Sequence, residues 1–340
     1  MPSLMLEEAL SAPDCVTRQL ESDGARYAAL GRVLREGPPS GIATIGRGSS
    51  AHAAQFFAFI VMQRLGRIVA PLPMSLVTLY GARLHARDLL AVAISQSGQS
   101  PDLVVPMRQL AAGGATTVSF VNAPSSPLAA ESAWAFPLHA SPERSVIATR
   151  SFIASLVASA LLTAHWEGDA ALLRALETLP ATLREAARVE GPPALEPLAQ
   201  ADRAMVIGRG AGLPIALEAA LKLKETCGIQ AEAFSAAEIQ HGPMSLVGEG
   251  YPLLVFALRG PAQAGLLELA AEMRTRGARV ILAAPADVAG RELTLLETDS
   301  ADLDPIVAIQ RFYVHVEALS RARGRDPDAP PNLSKVTRTR

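Results

Sequence analysis

The sequence predicts an α/β protein built from two doubly wound parallel-sheet subdomains related by internal duplication, and three observations carry that prediction. Ile45-Gly46-Arg47-Gly48 recurs as Ile207-Gly208-Arg209-Gly210, 162 residues later, and each copy lies between a short apolar run and a long Ala-rich stretch. Those stretches stop at Gly66 and Gly228, again 162 apart, where a glycine is placed to close a helix. Gly114-Ala115-Thr116-Thr117-Val118 is matched by Gly277-Ala278-Arg279-Val280-Ile281 at an offset of 163. Strands alternating with helices give a parallel sheet wrapped by helices, and repetition of the pattern gives two of them.

Taken in order, residues 1–37 precede the repeat and predict one or two helices. Residues 38–190 form the first subdomain. Its strands are expected at Ile42–Ile45, Ile68–Ala70, Leu89–Ser95 and from Gly114 onward. A junction follows at Gly191–Leu198, marked by Pro192, Pro193 and Pro197. Residues 191–321 make the second subdomain, with strands at Ala204–Ile207, Gln230–Ala233, Leu253–Leu258 and from Gly277 onward. Residues 322–340, charged and carrying three prolines, read as a tail.

Composition excludes several function classes. Of 340 residues 49% are hydrophobic and 19% charged, so a sizeable core can form. A net charge of −2 lacks the basic footprint of a nucleic-acid or anionic-membrane binder. Cys15 and Cys227 are too few for a disulfide framework or a four-cysteine zinc site, and fit a reducing compartment. The uncharged runs 48–63 and 151–166 fall short of the roughly 20 residues that span a bilayer, and read as buried helices. No basic stretch precedes an apolar one at the N-terminus, so a soluble, cytoplasmic protein is expected. The basic residues are almost all arginine; the three lysines are Lys222, Lys224 and Lys335. Only an amine readily serves as a base or forms a Schiff base, which makes those three positions notable.

In open α/β sheets ligands bind where the carboxyl ends of strands feed helix N-termini. Gly48-Ser49-Ser50 and Ser95-Gln96-Ser97-Gly98-Gln99-Ser100 occupy such places in the first half. Backbone N–H groups flanked by hydroxyls form a neutral cradle suited to phosphate, although serine also serves ordinary turns and caps. The corresponding Leu258-Arg259-Gly260-Pro261 lacks hydroxyls, so phosphate is expected once, in the first half. A nicotinamide cofactor is excluded: Gly46-Arg47-Gly48-Ser49-Ser50-Ala51 has no third glycine, and no acidic residue closes the second strand.

The second half offers Glu218, Lys222 and Glu225 at i, i+4 and i+7 on one predicted helix, hence on one face. Surface salt bridging explains such spacing in many helices. Here the helix is otherwise apolar and holds two of the three lysines. His241, before Gly242-Pro243, stands where the backbone is constrained. A carboxylate, an amine and an imidazole suit ring opening and proton transfer beside a carbonyl. Metal ligation is the weaker reading, since no His-x-x-His or Cys-rich spacing exists; no metal and no cofactor are expected.

Six motifs in chain order resemble the sugar isomerase (SIS) family. They are Gly46–Ala53, Ser95–Ser100, Glu143–Thr149, Pro214–Glu225, His241-Gly242-Pro243 and Asp326–Lys335. The likeness is to the isomerase half of glucosamine-6-phosphate synthase and to stand-alone SIS-type glucosamine-6-phosphate deaminases, and it spans the whole chain. It implies flavodoxin-like subdomains and a homodimer with a shared active site. Ser49, Ser50, Ser95, Gln96, Ser97, Ser100 and Val146 would bind phosphate and sugar. Glu225 would be the base moving a proton between C1 and C2, supported by Lys222 and Glu218. His241 would open the ring in the partner subunit's site, and Lys335 would close over the sugar from the tail.

The sequence departs from that pattern at Ala148, where the family has serine, and at Arg150, where it has lysine. Cys15 lies near the start without the roughly 240-residue glutaminase domain of the synthase, so either free ammonia is expected as product or substrate, or nitrogen is not involved. The expected activity is conversion of glucosamine 6-phosphate to fructose 6-phosphate and ammonia. The rivals are a galactosamine-6-phosphate deaminase, a plain aldose–ketose isomerase of phosphosugars, and a non-catalytic sugar-phosphate-binding regulator. The last would leave Glu225 and His241 idle, and no helix-turn-helix is evident in residues 1–37.

Overall fold

The computed structural model describes residues 2–188 and 194–335; part of the expected junction at 191–198 and the last five residues of the tail lie outside them. The chain forms two compact units assembled from non-contiguous stretches. One comprises Ser11–Arg144, Arg150–Glu177 and Ser334–Arg340; the other Met1–Leu10, Ser145–Thr149 and Thr178–Leu333.

In chain order, helices α1 (Leu4–Leu10) and α2 (Ala12–Glu36) lead into β1 (Gly41–Ile45), α3 (Ser49–Leu65), β2 (Val69–Pro71) and the short α4 (Ser75–Thr78). Next come β3 (Leu89–Ser95), α5 (Pro101–Ala112), β4 (Thr116–Val121), α6 (Pro127–Ala130) and β5 (Trp134–Pro137). Helices α7 (Arg150–Glu167) and α8 (Ala170–Ala186) separate these from β6 (Arg203–Gly208), α9 (Leu213–Cys227), β7 (Gln230–Ser235) and β8 (Pro252–Phe256). The chain then forms α10 (Gln263–Thr275), β9 (Arg279–Pro285), β10 (Leu293–Leu295) and α11 (Asp304–Ala322).

Both sheets are wholly parallel and share one topology. The first runs β2-β1-β3-β4-β5 and the second, read from its β7 edge, β7-β6-β8-β9-β10. Each therefore has its switch point beside its first strand, where β1 neighbours β3 and β6 neighbours β8. The expected duplication is present, down to the helix stops: Gly66 and Gly228 both end their helices in the left-handed conformation. The Gly-Arg-Gly repeats need their first glycine for close approach. A Cβ on Gly46 would meet the Ser50 carbonyl, and one on Gly208 the Gly212 carbonyl.

Both uncharged runs form helices; the second is buried as expected, whereas α3 buries one face and leaves Gln55, Met62 and Gln63 exposed. In α7 nearly every side chain is buried, yet Ser155, Ser159 and Thr163 are satisfied by donating to the carbonyls of Ser151, Ser155 and Ser159. Within the same unit α2 lies on α7 at Gly31, where any Cβ would collide with the backbone at His165. In the other unit the start of the tail is held in place. The Asp328 carboxylate accepts from the backbone N–H groups of Leu4 and Met5, both at 2.7 Å, and so caps α1. No described helix is long and apolar enough to cross a membrane.

Candidate active site

Helix α9 starts with Pro214 in its first turn and buries Ile215, Ala216, Ala219, Ala220 and Leu223. Its 3.6-residue period then places Glu218, Lys222 and Glu225 together, as the sequence predicted. Lys222 is not a surface lysine: its side chain is 1% exposed, and that of Glu218 is 0% exposed. Lys222 Nζ lies 3.1 Å from Glu218 Oε1 and 2.8 Å from Glu225 Oε2. Tyr313 on α11 donates its hydroxyl to Glu218 Oε1 at 3.1 Å. Burial alone pulls the Lys222 ammonium toward neutrality, but the two carboxylates outweigh it and hold its pKa above the ordinary value. The amine is thus a fixed cation. Glu225, 21% exposed, is the member of the trio that reaches solvent. A carboxylate oriented by a buried ammonium can take and return a proton at a fixed position. Lys224 is exposed on another face.

The hydroxyl-rich loops sit at the carboxyl ends of β1 and β3, in the other unit. Gly48 (φ 51°) leads into α3, whose first residues are the half-buried Ser49 and Ser50. Ser95 Oγ accepts from Gly98 N at 2.9 Å, and Ser97 Oγ accepts from Gln99 N at 3.3 Å. Gly98 turns the loop at φ 61°, and a Cβ there would strike Ser126. Ser100 occupies the N-cap of α5 but its hydroxyl makes no capping bond; Ser100 Oγ is buried without a hydrogen bond among the described residues. A buried hydroxyl in that state is suited to a ligand oxygen. Gln96 is half-buried in the same loop.

Two side chains of this unit went unassigned in the sequence. Arg47 pairs with Asp102 across the loops, Nη2 to Oδ2 at 2.7 Å, although its place in a repeated Gly-Arg-Gly motif marked it out. Glu143, inside one of the six motifs, is buried; it accepts from Ser151 N at 3.1 Å and from Ser151 Oγ at 2.5 Å. Lys335 Nζ lies 3.7 Å from Glu143 Oε2 in the same unit. Tyr313 carried no local signal, because it reaches Glu218 from 95 positions away in the chain.

His241 and Val146 belong to the unit that holds α9. His241 is exposed at the end of the 3-10 turn Glu238–His241, followed by Gly242 at φ 132°. Val146 is half-buried and donates its N–H to the Asp328 carbonyl at 3.4 Å. Cys15 and Cys227 are free and buried; burial pushes both thiols up to about 11, which leaves them poor nucleophiles. Among the described residues no group of three or more His, Cys, Asp or Glu side chains could hold a metal ion.

Comparison with known proteins agrees with this architecture. A glutamine–fructose-6-phosphate aminotransferase (isomerizing) of Sulfurisphaera tokodaii is 32% identical over 346 residues, covering 98% of this chain and 56% of the relative. The chain thus spans just over half the length of that relative. A crystal structure from Silicibacter pomeroyi, provisionally named a phosphosugar isomerase, superposes with a TM-score of 0.90 at 40% identity, over 96% of this chain and all of that one. The glucosamine-6-phosphate deaminase of Thermotoga maritima, at 21% identity and a TM-score of 0.75 over 99% of this chain and all of that one, shares the fold. The SIS domain family profile matches residues 39–164 and 197–284, more than half of the sequence, and the chain belongs to the SIS domain family.

Proposed function

We propose that the protein is a phosphosugar isomerase that deaminates glucosamine 6-phosphate to fructose 6-phosphate and ammonia. The observation that carries this reading is the Glu218–Lys222–Glu225 cluster, in which one carboxylate reaches solvent beside a buried, permanently charged amine. The 32% identity to an enzyme named for fructose 6-phosphate supports the substrate class. The unbonded Ser100 hydroxyl in the serine-rich loop supports the phosphate.

In the proposed reaction His241, contributed by the partner subunit of a homodimer, opens the sugar ring. Glu225 then removes the C2 proton of the open-chain amino sugar and returns a proton to C1. The resulting ketose imine takes up one water and releases ammonia, leaving fructose 6-phosphate. Lys222 and Glu218 fix the direction of Glu225. Ser49, Ser50, Ser95, Gln96, Ser97 and Ser100 hold the phosphate and sugar with Val146, and Lys335 closes from the tail.

The test is ammonia release and ketose formation on a panel of hexosamine 6-phosphates and hexose 6-phosphates. Ammonia with fructose 6-phosphate from the glucosamine compound is the expected result. Interconversion of aldose and ketose phosphates without ammonia would reduce the reading to a plain isomerase, and no turnover on any member would contradict it. Sedimentation of the active species as a dimer is expected at micromolar concentration; a fully active monomer would remove the shared-site role of His241.

A further inference from the structure

We propose that Arg47, anchored on Asp102, is a specificity-determining residue that supplies the positive charge read by the substrate's phosphate. This inference rests on the phosphosugar reading and assigns a contact that the serine loops cannot provide.

A phosphate monoester carries about −1.5 to −2 charges near neutral pH. The cradle at the ends of β1 and β3 is otherwise built from hydroxyls and backbone N–H groups, which are neutral. Residues 46–52 and 95–102 contain one arginine and no lysine. That arginine is Arg47. It is placed on the loop after β1, while Asp102 opens α5 after the adjacent strand β3, with Ile45 registered against Ala93. The 2.7 Å pair therefore bridges the two loops that would share a phosphate.

The two partners are unequal in burial. The Asp102 side chain is 1% exposed and that of Arg47 is 53% exposed. Asp102 is the fixed end, and Arg47 presents the rest of its guanidinium outward. A guanidinium has five N–H donors in a planar fork, so an anchor on one edge leaves donors for an incoming oxyanion. The anchor also fixes the rotamer of a long side chain, which lowers the ordering cost of binding. Ser100, whose buried hydroxyl makes no hydrogen bond among the described residues, lies two residues before Asp102. The anchor of the charged donor and an uncommitted hydroxyl thus lie on the same short stretch.

Isothermal titration with fructose 6-phosphate tests this without depending on turnover. Arg47→Gln is expected to weaken binding about 10- to 100-fold, with Arg47→Lys recovering part of the affinity and Asp102→Asn falling between parent and Arg47→Gln. The weakening of Kd with added potassium chloride should be steeper in the parent than in Arg47→Gln, a change that removal of a purely structural bond would not produce. Binding by a folded Arg47→Gln variant within threefold of the parent, with an unchanged salt slope, overturns the inference. If that variant fails to fold, Arg47→Met decides by the same two readouts, since it too removes the charge. A parent that binds no hexose 6-phosphate overturns the functional reading and this inference with it, a result distinct from the first.

Discussion

Lys222 carries its ammonium 3.1 Å from the Glu218 carboxylate, and both side chains are sealed from solvent on α9. Two buried charges of opposite sign are each tolerable only while the other is present, because the unpaired ion keeps its full desolvation cost. Lys222→Met should therefore destabilise the protein by about 3–5 kcal/mol. Combining it with Glu218→Gln should recover much of that stability, since no fully buried charge is then stranded and the Glu225 carboxylate still reaches solvent. Urea midpoints of the parent, the two single variants and the double variant measure the coupling; additive effects would mean that the two groups act independently.

The serine loop should be felt in substrate binding. Ser95→Ala or Ser97→Ala is expected to raise KM for a 6-phosphosugar, each missing hydroxyl weakening binding by about 0.5–3 kcal/mol. Ser95 also has a structural part, since its oxygen accepts from Gly98 N at the turn. Its substitution should lower the melting temperature as well. Steady-state kinetics with KM unchanged in both variants would move the phosphate elsewhere.

Acid stability should report on His315, buried on α11. Burial first, and then the Arg311 charge, lower its pKa from 6.5 to about 4. Between those values the unfolded chain binds the proton and the native one does not, so unfolding gains as pH falls. Above about pH 6.5 the group has no effect. Stability is lost progressively from there to about pH 4, by up to about 3 kcal/mol. His315→Asn should flatten this limb of the urea midpoint against pH. An unchanged difference between midpoints at pH 4.5 and pH 7 would assign the acid limb to other groups.

Much of this was legible in the sequence because it depends on local pattern. The Gly-Arg-Gly repeat, the helix stops at Gly66 and Gly228, and the shared face of Glu218, Lys222 and Glu225 all follow from backbone periodicity. Burial of Lys222 was not legible, since it depends on α11 covering α9 and on Tyr313 meeting Glu218 from far along the chain. The Arg47–Asp102 pair escaped for the same reason: strand order, not sequence distance, makes β1 and β3 neighbours. Residues 322–340 read as a tail from their charge and prolines. The start of that tail is held by Asp328 capping α1, a long-range bond that composition does not reveal.

The proposed reaction depends on Glu225 as the base that moves the proton. Glu225→Gln preserves size and hydrogen-bonding reach while removing that base. Turnover should fall by about 10²- to 10⁴-fold, while fructose 6-phosphate binding persists. The direct measurement is exchange of the sugar's C2 proton with solvent deuterium, followed by NMR with glucosamine 6-phosphate, in parent and variant side by side. Exchange is expected in the parent, and its loss in Glu225→Gln. Exchange that continues at the parental rate in the variant would contradict the assignment and turn attention to another base.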